Sequence, residues 1–113
     1  MKEIKAYIKP HRLSQVTLAL QKIAGLTGMS VTNVRGFGRT RAKDSTYRIT
    51  EDAIDYVPHV RIEIVCGDEL VEQIVSAIER AAHTGLRGDG KIYVSEVETA
   101  VRISTGERGE SAV

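Results

Sequence analysis

What most narrows the fold of this chain is a succession of hydrophobic periods that occurs twice. Ile4, Ala6 and Ile8 alternate with Lys5, Tyr7 and Lys9, the period of a strand with one face buried. Pro10 stops that strand. Leu13, Val16, Leu20 and Ile23 then recur at helical spacing, an apolar stripe along one side of a helix. Ala24-Gly25 and Thr27-Gly28 close it, and Met29 to Val34 reads as a second strand. The order returns after Pro58. Val60, Ile62, Ile64 and Cys66 alternate with His59, Arg61, Glu63 and Val65, and Val71, Ile74, Val75, Ile78, Ala81 and Ala82 share one helix face. Lys91 to Val97 reads as a closing strand, with Ile92 and Val94 on one side. Asp68 stands where an N-cap belongs, with Glu69 and Glu72 favouring the positive end of the helix dipole.

Strand–helix–strand twice over predicts an α+β sandwich of the ferredoxin-like βαββαβ kind, as a single domain over residues 1–113. Both helices cover one sheet face. The other face also carries apolar residues, and no further helix remains to cover it, so a subunit interface is expected there. Residues 39–57 follow neither period and mix many charges with few apolar groups, which predicts a long functional loop. Ala100 to Ile103 is a candidate short edge strand ahead of a polar tail.

Composition excludes several classes of function. Sixteen basic residues against 15 acidic ones leave a net charge of +1, without the basic excess that a nucleic-acid binder uses to displace counterions. No run approaches the roughly 20 apolar residues that span a bilayer, and the N-terminal segment lacks the apolar core of a signal peptide. One cysteine, Cys66, allows no internal disulfide and fits a reducing cytoplasm. It alternates with buried strand positions, so a small core hydrophobe is expected rather than a nucleophile. His11, His59 and His83 are too scattered for a metal motif, and no catalytic constellation is visible, so neither a metal site nor an enzyme is expected.

Three glycine-containing segments remain: Gly36-Phe37-Gly38-Arg39, Thr84-Gly85-Leu86-Arg87-Gly88-Asp89-Gly90-Lys91, and Arg102 to Arg108. Such turns expose backbone N–H groups that can cradle phosphate oxygens, with Lys or Arg balancing charge. The middle segment is not a P-loop, because its spacing differs and a strand follows instead of a helix. Taken alone, its spacing fits an ordinary glycine turn into a strand better than a phosphate site.

Thr84 to Val94 nevertheless resembles the C-terminal signature of the PII signal-transduction family. Lys9-Pro10, Gly28-Met29-Ser30-Val31, Gly36-Phe37-Gly38-Arg39, Arg61-Ile62-Glu63-Ile64-Val65 and Arg102 with Thr105-Gly106-Glu107-Arg108-Gly109 also match that family in order and spacing. The resemblance implies a cytoplasmic homotrimer with an adenine-nucleotide site in each cleft between subunits. ATP or ADP would bind there, with AMP a further candidate. By position, Gly38, Gly88, Asp89, Gly90, Lys91 and Arg102 would surround the phosphates, and Arg39 would reach them from the base of the long loop. Ser30, Glu63 and Val65 would lie near the adenosine. Residues 39–57 would be the T-loop that docks on target proteins, 84–91 the B-loop, and 102–113 the C-terminal loop and tail. A membrane transporter or a metabolic enzyme of nitrogen or carbon metabolism is the kind of target implied.

Departures from the family pattern fall at effector positions. The modified tyrosine of the T-loop is replaced by Asp52, in the segment Tyr47-Arg48-Ile49-Thr50-Glu51-Asp52, so modification at the usual place is not expected. Tyr47 is retained elsewhere in the loop, and Thr50 stands where some relatives carry a phosphorylated serine. Thr40 replaces the glutamine that helps hold magnesium and 2-oxoglutarate. His59 replaces the lysine that pairs with the 2-oxoglutarate carboxylate, and Ser104 replaces a second phosphate-side arginine. Magnesium-assisted 2-oxoglutarate sensing of the usual kind is therefore not expected. The alternatives are a trimeric relative that senses another small anion such as bicarbonate, one that serves a metal-efflux or transport system, and a slow ATPase.

Overall fold

The computed structural model describes residues 1–37 and 56–113. Strands β1 (Lys2–Ile8), β2 (Ser30–Gly36), β3 (Val57–Cys66) and β4 (Gly90–Glu96) form one sheet in the order β2-β3-β1-β4. Every neighbouring pair is antiparallel. Helices α1 (Leu13–Gln21) and α2 (Val71–Ala82) complete the βαββαβ order of a ferredoxin-like fold. The two predicted periods are the reason. Ile4, Ala6 and Ile8 of β1 and Val60, Ile62, Ile64 and Cys66 of β3 are buried under Val16 and Leu20 of α1 and Ile74, Ala77, Ile78 and Ala82 of α2.

Several boundaries differ from the sequence reading. Short 3-10 turns, Pro10–Arg12 and Asp68–Leu70, lead into the helices. Asp68 therefore does not cap α2 with its side chain; its carboxylate accepts a hydrogen bond from the N-terminal ammonium at 3.0 Å instead. That contact, with Lys2 nearby, holds its carboxyl below the usual carboxylate range. Strand β3 begins at Val57, one residue inside the predicted loop, and passes through Pro58. Proline is tolerated there because β1 ends at Ile8 opposite Val60, leaving β2 as the partner of Pro58 and less demand for the missing N–H. The expected edge strand at 100–103 is reduced to a single bridge between Val101 and Arg108.

Cys66 is 3% exposed at the end of β3. Burial, then the neighbouring charge of Glu69, pushes its thiol up, which keeps it protonated and inert. Register places Glu3, Lys5, Tyr7, His59, Arg61, Glu63, Val65, Lys91 and Tyr93 on the sheet face away from the helices. That face is more polar than expected; Tyr7 and Tyr93 pack edge to face on it, with ring centroids 6.2 Å apart. Among the described residues no helix is long and apolar enough to cross a membrane.

Candidate functional site

The turn from α2 to β4 is built by one carboxylate. Helix α2 stops at Ala82, and His83 leaves it in an extended conformation. Asp89 then folds back on the start of the turn. Its Oδ2 accepts hydrogen bonds from the N–H groups of Thr84 at 2.8 Å and Gly85 at 3.1 Å. Its Oδ1 accepts the Thr84 hydroxyl and lies 3.1 Å from Lys9 Nζ. The same threonine oxygen accepts from Leu86 N–H at 3.1 Å and from Lys9 Nζ at 3.2 Å. Gly85, Gly88 and Gly90 have φ of 81°, 79° and 107°, the left-handed values that a side chain resists. The neck is thus closed by Asp89, and the intervening backbone is held in an open curve.

These bonds explain the acidity of Asp89. The Thr84 hydroxyl and N–H contribute most, then Lys9 and the Gly85 N–H, and together they outweigh partial burial and hold the carboxyl well below the usual carboxylate range. A depressed carboxyl stabilises the fold fully above the unfolded-state value of about 3.9 and loses that contribution as pH falls below it. In a His83→Asn background, which removes the exposed imidazole 3.6 Å from Asp89 Oδ2, the amide resonances of Thr84 and Gly85 are therefore expected to hold their positions from neutral pH down to about pH 4 and to move only below that. Movement centred above pH 5, in a pH series of amide NMR spectra, would contradict this bonding.

The predicted site residues fall into separate groups. Gly88, Asp89, Gly90 and Lys91 are brought together at the turn, and His59 joins them, its Nε2 lying 3.3 Å from the carbonyl oxygen of Gly88. Lys91, the second residue of β4, lies opposite Tyr7 and is exposed, with no acidic partner among the described residues. Ser30 pairs with Glu63 across β2 and β3, and Val65 lies further along the same strand. Glu63 lies four residue steps along the strand from His59, a span of about 13 Å. Glu63 Oε1 lies 2.7 Å from Arg61 Nε, but that nitrogen has no aligned hydrogen-bond partner, so the contact is ionic. Arg102 sits in a third place, a C-terminal hairpin. Its N–H donates to Glu107 O at 2.9 Å, and its guanidinium lies 3.9 Å from the Glu107 carboxylate. Gly38, Arg39, Thr40, Tyr47, Thr50 and Asp52 lie outside the described residues. At the stem of that segment Phe37 and Tyr56 pack with centroids 6.0 Å apart, and the Arg35 guanidinium lies 5.9 Å from the Tyr56 ring centre.

Sequence reasoning missed the props of the turn. Lys9 and Thr84 were visible only as parts of matching segments, and they meet across 75 positions of chain. Arg12 was not singled out at all. It donates from Nε and Nη2 to Ala81 O, at 2.9 and 2.7 Å, satisfying a carbonyl at the α2 C-terminus. A lysine at a strand end ahead of proline was the available signal.

Comparison with known proteins identifies the family. Residues 1–107 match the family profile of Nitrogen regulatory protein P-II. Proteins of that name from Bradyrhizobium diazoefficiens, Mesorhizobium japonicum and Haemophilus influenzae are 52%, 51% and 49% identical to the chain. Each alignment runs over 113 residues and covers all of both chains. The chain therefore belongs to the P-II family of nitrogen regulatory proteins, and it is a signal-transduction regulator rather than an enzyme.

Proposed function

We propose that this regulator binds an adenine nucleotide between the subunits of a homotrimer and passes the state of that site to a target protein through residues 39–57. The observation that carries the reading is the turn at 84–90. Asp89 consumes its own charge in closing the neck, three left-handed glycines shape the backbone, and Lys91 follows with no acidic partner among the described residues. Backbone donors beside an uncommitted cation suit a polyphosphate. The separation of this turn from Ser30, Glu63 and Val65 supports a site assembled from more than one subunit, and the uncovered sheet face with Tyr7, Val65 and Tyr93 offers a surface for assembly. We further propose that the protein works in the cytoplasm, with a transporter or metabolic enzyme as its target.

Calorimetric titration with ATP, ADP and AMP tests this, repeated with and without magnesium, 2-oxoglutarate and bicarbonate. ADP or AMP is expected to bind at least as well as ATP, with little gain from 2-oxoglutarate. A lost charged hydrogen bond is worth about 1.5–3 kcal/mol, so Lys91→Ala and Arg102→Ala should each weaken binding by roughly ten- to a hundredfold. Absence of binding at millimolar nucleotide, or unchanged binding in both variants, would sink the proposal. Strong magnesium-dependent synergy between ATP and 2-oxoglutarate would overturn the weight given to Thr40, His59 and Ser104.

A further inference from the structure

We infer that Lys9 is the positioning residue of the 84–90 turn, setting the backbone that the proposed nucleotide site uses without facing the ligand itself. The ligand part of this inference rests on the function proposed above; the positioning part does not. Lys9 is the first residue past β1, and its side chain is only 18% exposed. The ammonium reaches both components of the neck, Asp89 Oδ1 at 3.1 Å and Thr84 Oγ1 at 3.2 Å. Its stem runs under the turn: a Cβ added at Gly88 would lie 3.9 Å from Lys9 Cε, ordinary contact distance.

The neighbours of Lys9 make it a fixed support. Pro10 follows and restricts the backbone into the 3-10 turn, and Arg12 at the end of that turn grips Ala81 O with two hydrogen bonds. Residues 9–12 thereby hold both ends of the segment, the helix end through Arg12 and the strand end through Lys9 and Asp89. Without the ammonium, the Asp89 carboxylate, 24% exposed, would keep the neutral donors of Thr84 and Gly85 and the exposed His83 imidazole, whose Nδ1 lies 3.6 Å from Oδ2. Charged hydrogen bonds are about twice as strong as neutral ones, so the closure should loosen selectively at the turn.

The test is hydrogen exchange on the full chain without nucleotide, comparing Lys9→Met, which keeps most of the stem, with Lys9→Arg, which keeps the charge. In Lys9→Met the amides of Thr84 and Gly85 are expected to exchange at least about tenfold faster, while those of β1 and β3 stay at wild-type rates. ATP affinity should fall by a similar factor, and Lys9→Arg should recover most of both losses. Asp89→Asn removes the same pair from the other side, which keeps the question open to experiment if Lys9→Met folds poorly. In the double variant the two effects should be less than additive, because they break one contact. Wild-type exchange at the turn in Lys9→Met, or equal loss in Lys9→Arg and Lys9→Met, would overturn the inference. A wild-type protein that binds none of ATP, ADP and AMP would instead defeat the nucleotide reading, and the exchange comparison would still decide the role of Lys9.

Discussion

Gly90→Ala is expected to destabilise the protein by about 3 kcal/mol or more, through mechanisms that rank among the costliest for one substitution. A Cβ at this position would lie 1.6 Å from the carbonyl oxygen of Tyr7 and 2.7 Å from its carbonyl carbon. Both are backbone atoms of a strand paired on each side, so no rotamer change relieves the overlap. The φ of 107° adds strain, because an L side chain resists that conformation whatever space surrounds it. The remaining escape is for β4, an edge strand, to peel from β1 at its first residues, which would displace Lys91. Gly106→Ala is the control. Gly106 has φ of 75°, but an added Cβ there meets nothing within 4 Å, so only the conformational cost of about 1–2 kcal/mol applies. Urea denaturation at fixed protein concentration measures both. Equal losses in the two variants would show that the close approach of β4 to Tyr7 does not hold in solution.

Ile62→Ala is expected to cost about 3–5 kcal/mol, the upper part of the range for large-to-small changes in a core. Ile62 is fully buried at the middle of β3, opposite Ala6 on one side and Val31 on the other. Its β1 neighbour is itself small, so little side chain is available to fall into the space. Ile62→Val removes one methylene and should cost about 0.5–1.5 kcal/mol. Val94→Ala, at an edge position that is 45% exposed, should cost less than about 1 kcal/mol. If the protein assembles, these values depend on its concentration, so the variants must be compared at equal chain concentration. A loss below that of Val94→Ala would place Ile62 outside the stabilising core.

Central elements were the legible ones. β1, β3 and α2 each bury one side against other parts of the same chain, so their amphipathic period is complete in the sequence. The edges were less clear. β2 and β4 are exposed along most of their length, and with no buried face to impose a period their ends were misplaced by one or two residues. Asp68 illustrates another limit, since it has the composition of a helix cap and is drawn away by the ammonium of Met1, 67 positions earlier. At the site, glycine and lysine spacing pointed to the turn. Which groups support its shape and which are left for a ligand was not legible, because Asp89 reads equally well as either. The pairing of Lys9 with Asp89 gives that carboxylate a structural role, and the pairing joins the end of the first strand to the turn before the fourth.

The condition of Cys66 has a practical consequence. It is the sole thiol of the 113-residue chain, it is enclosed in the core, and burial keeps it protonated. A cysteine introduced at an exposed position would therefore react with maleimide dyes while the native one stays silent, and Cys66 need not be replaced first. Single fluorophores can then be attached at exposed positions such as Leu86 or Ile103, and emission read while a trial ligand is added. The buried native sulfur thus leaves an introduced thiol as the one that a dye reports.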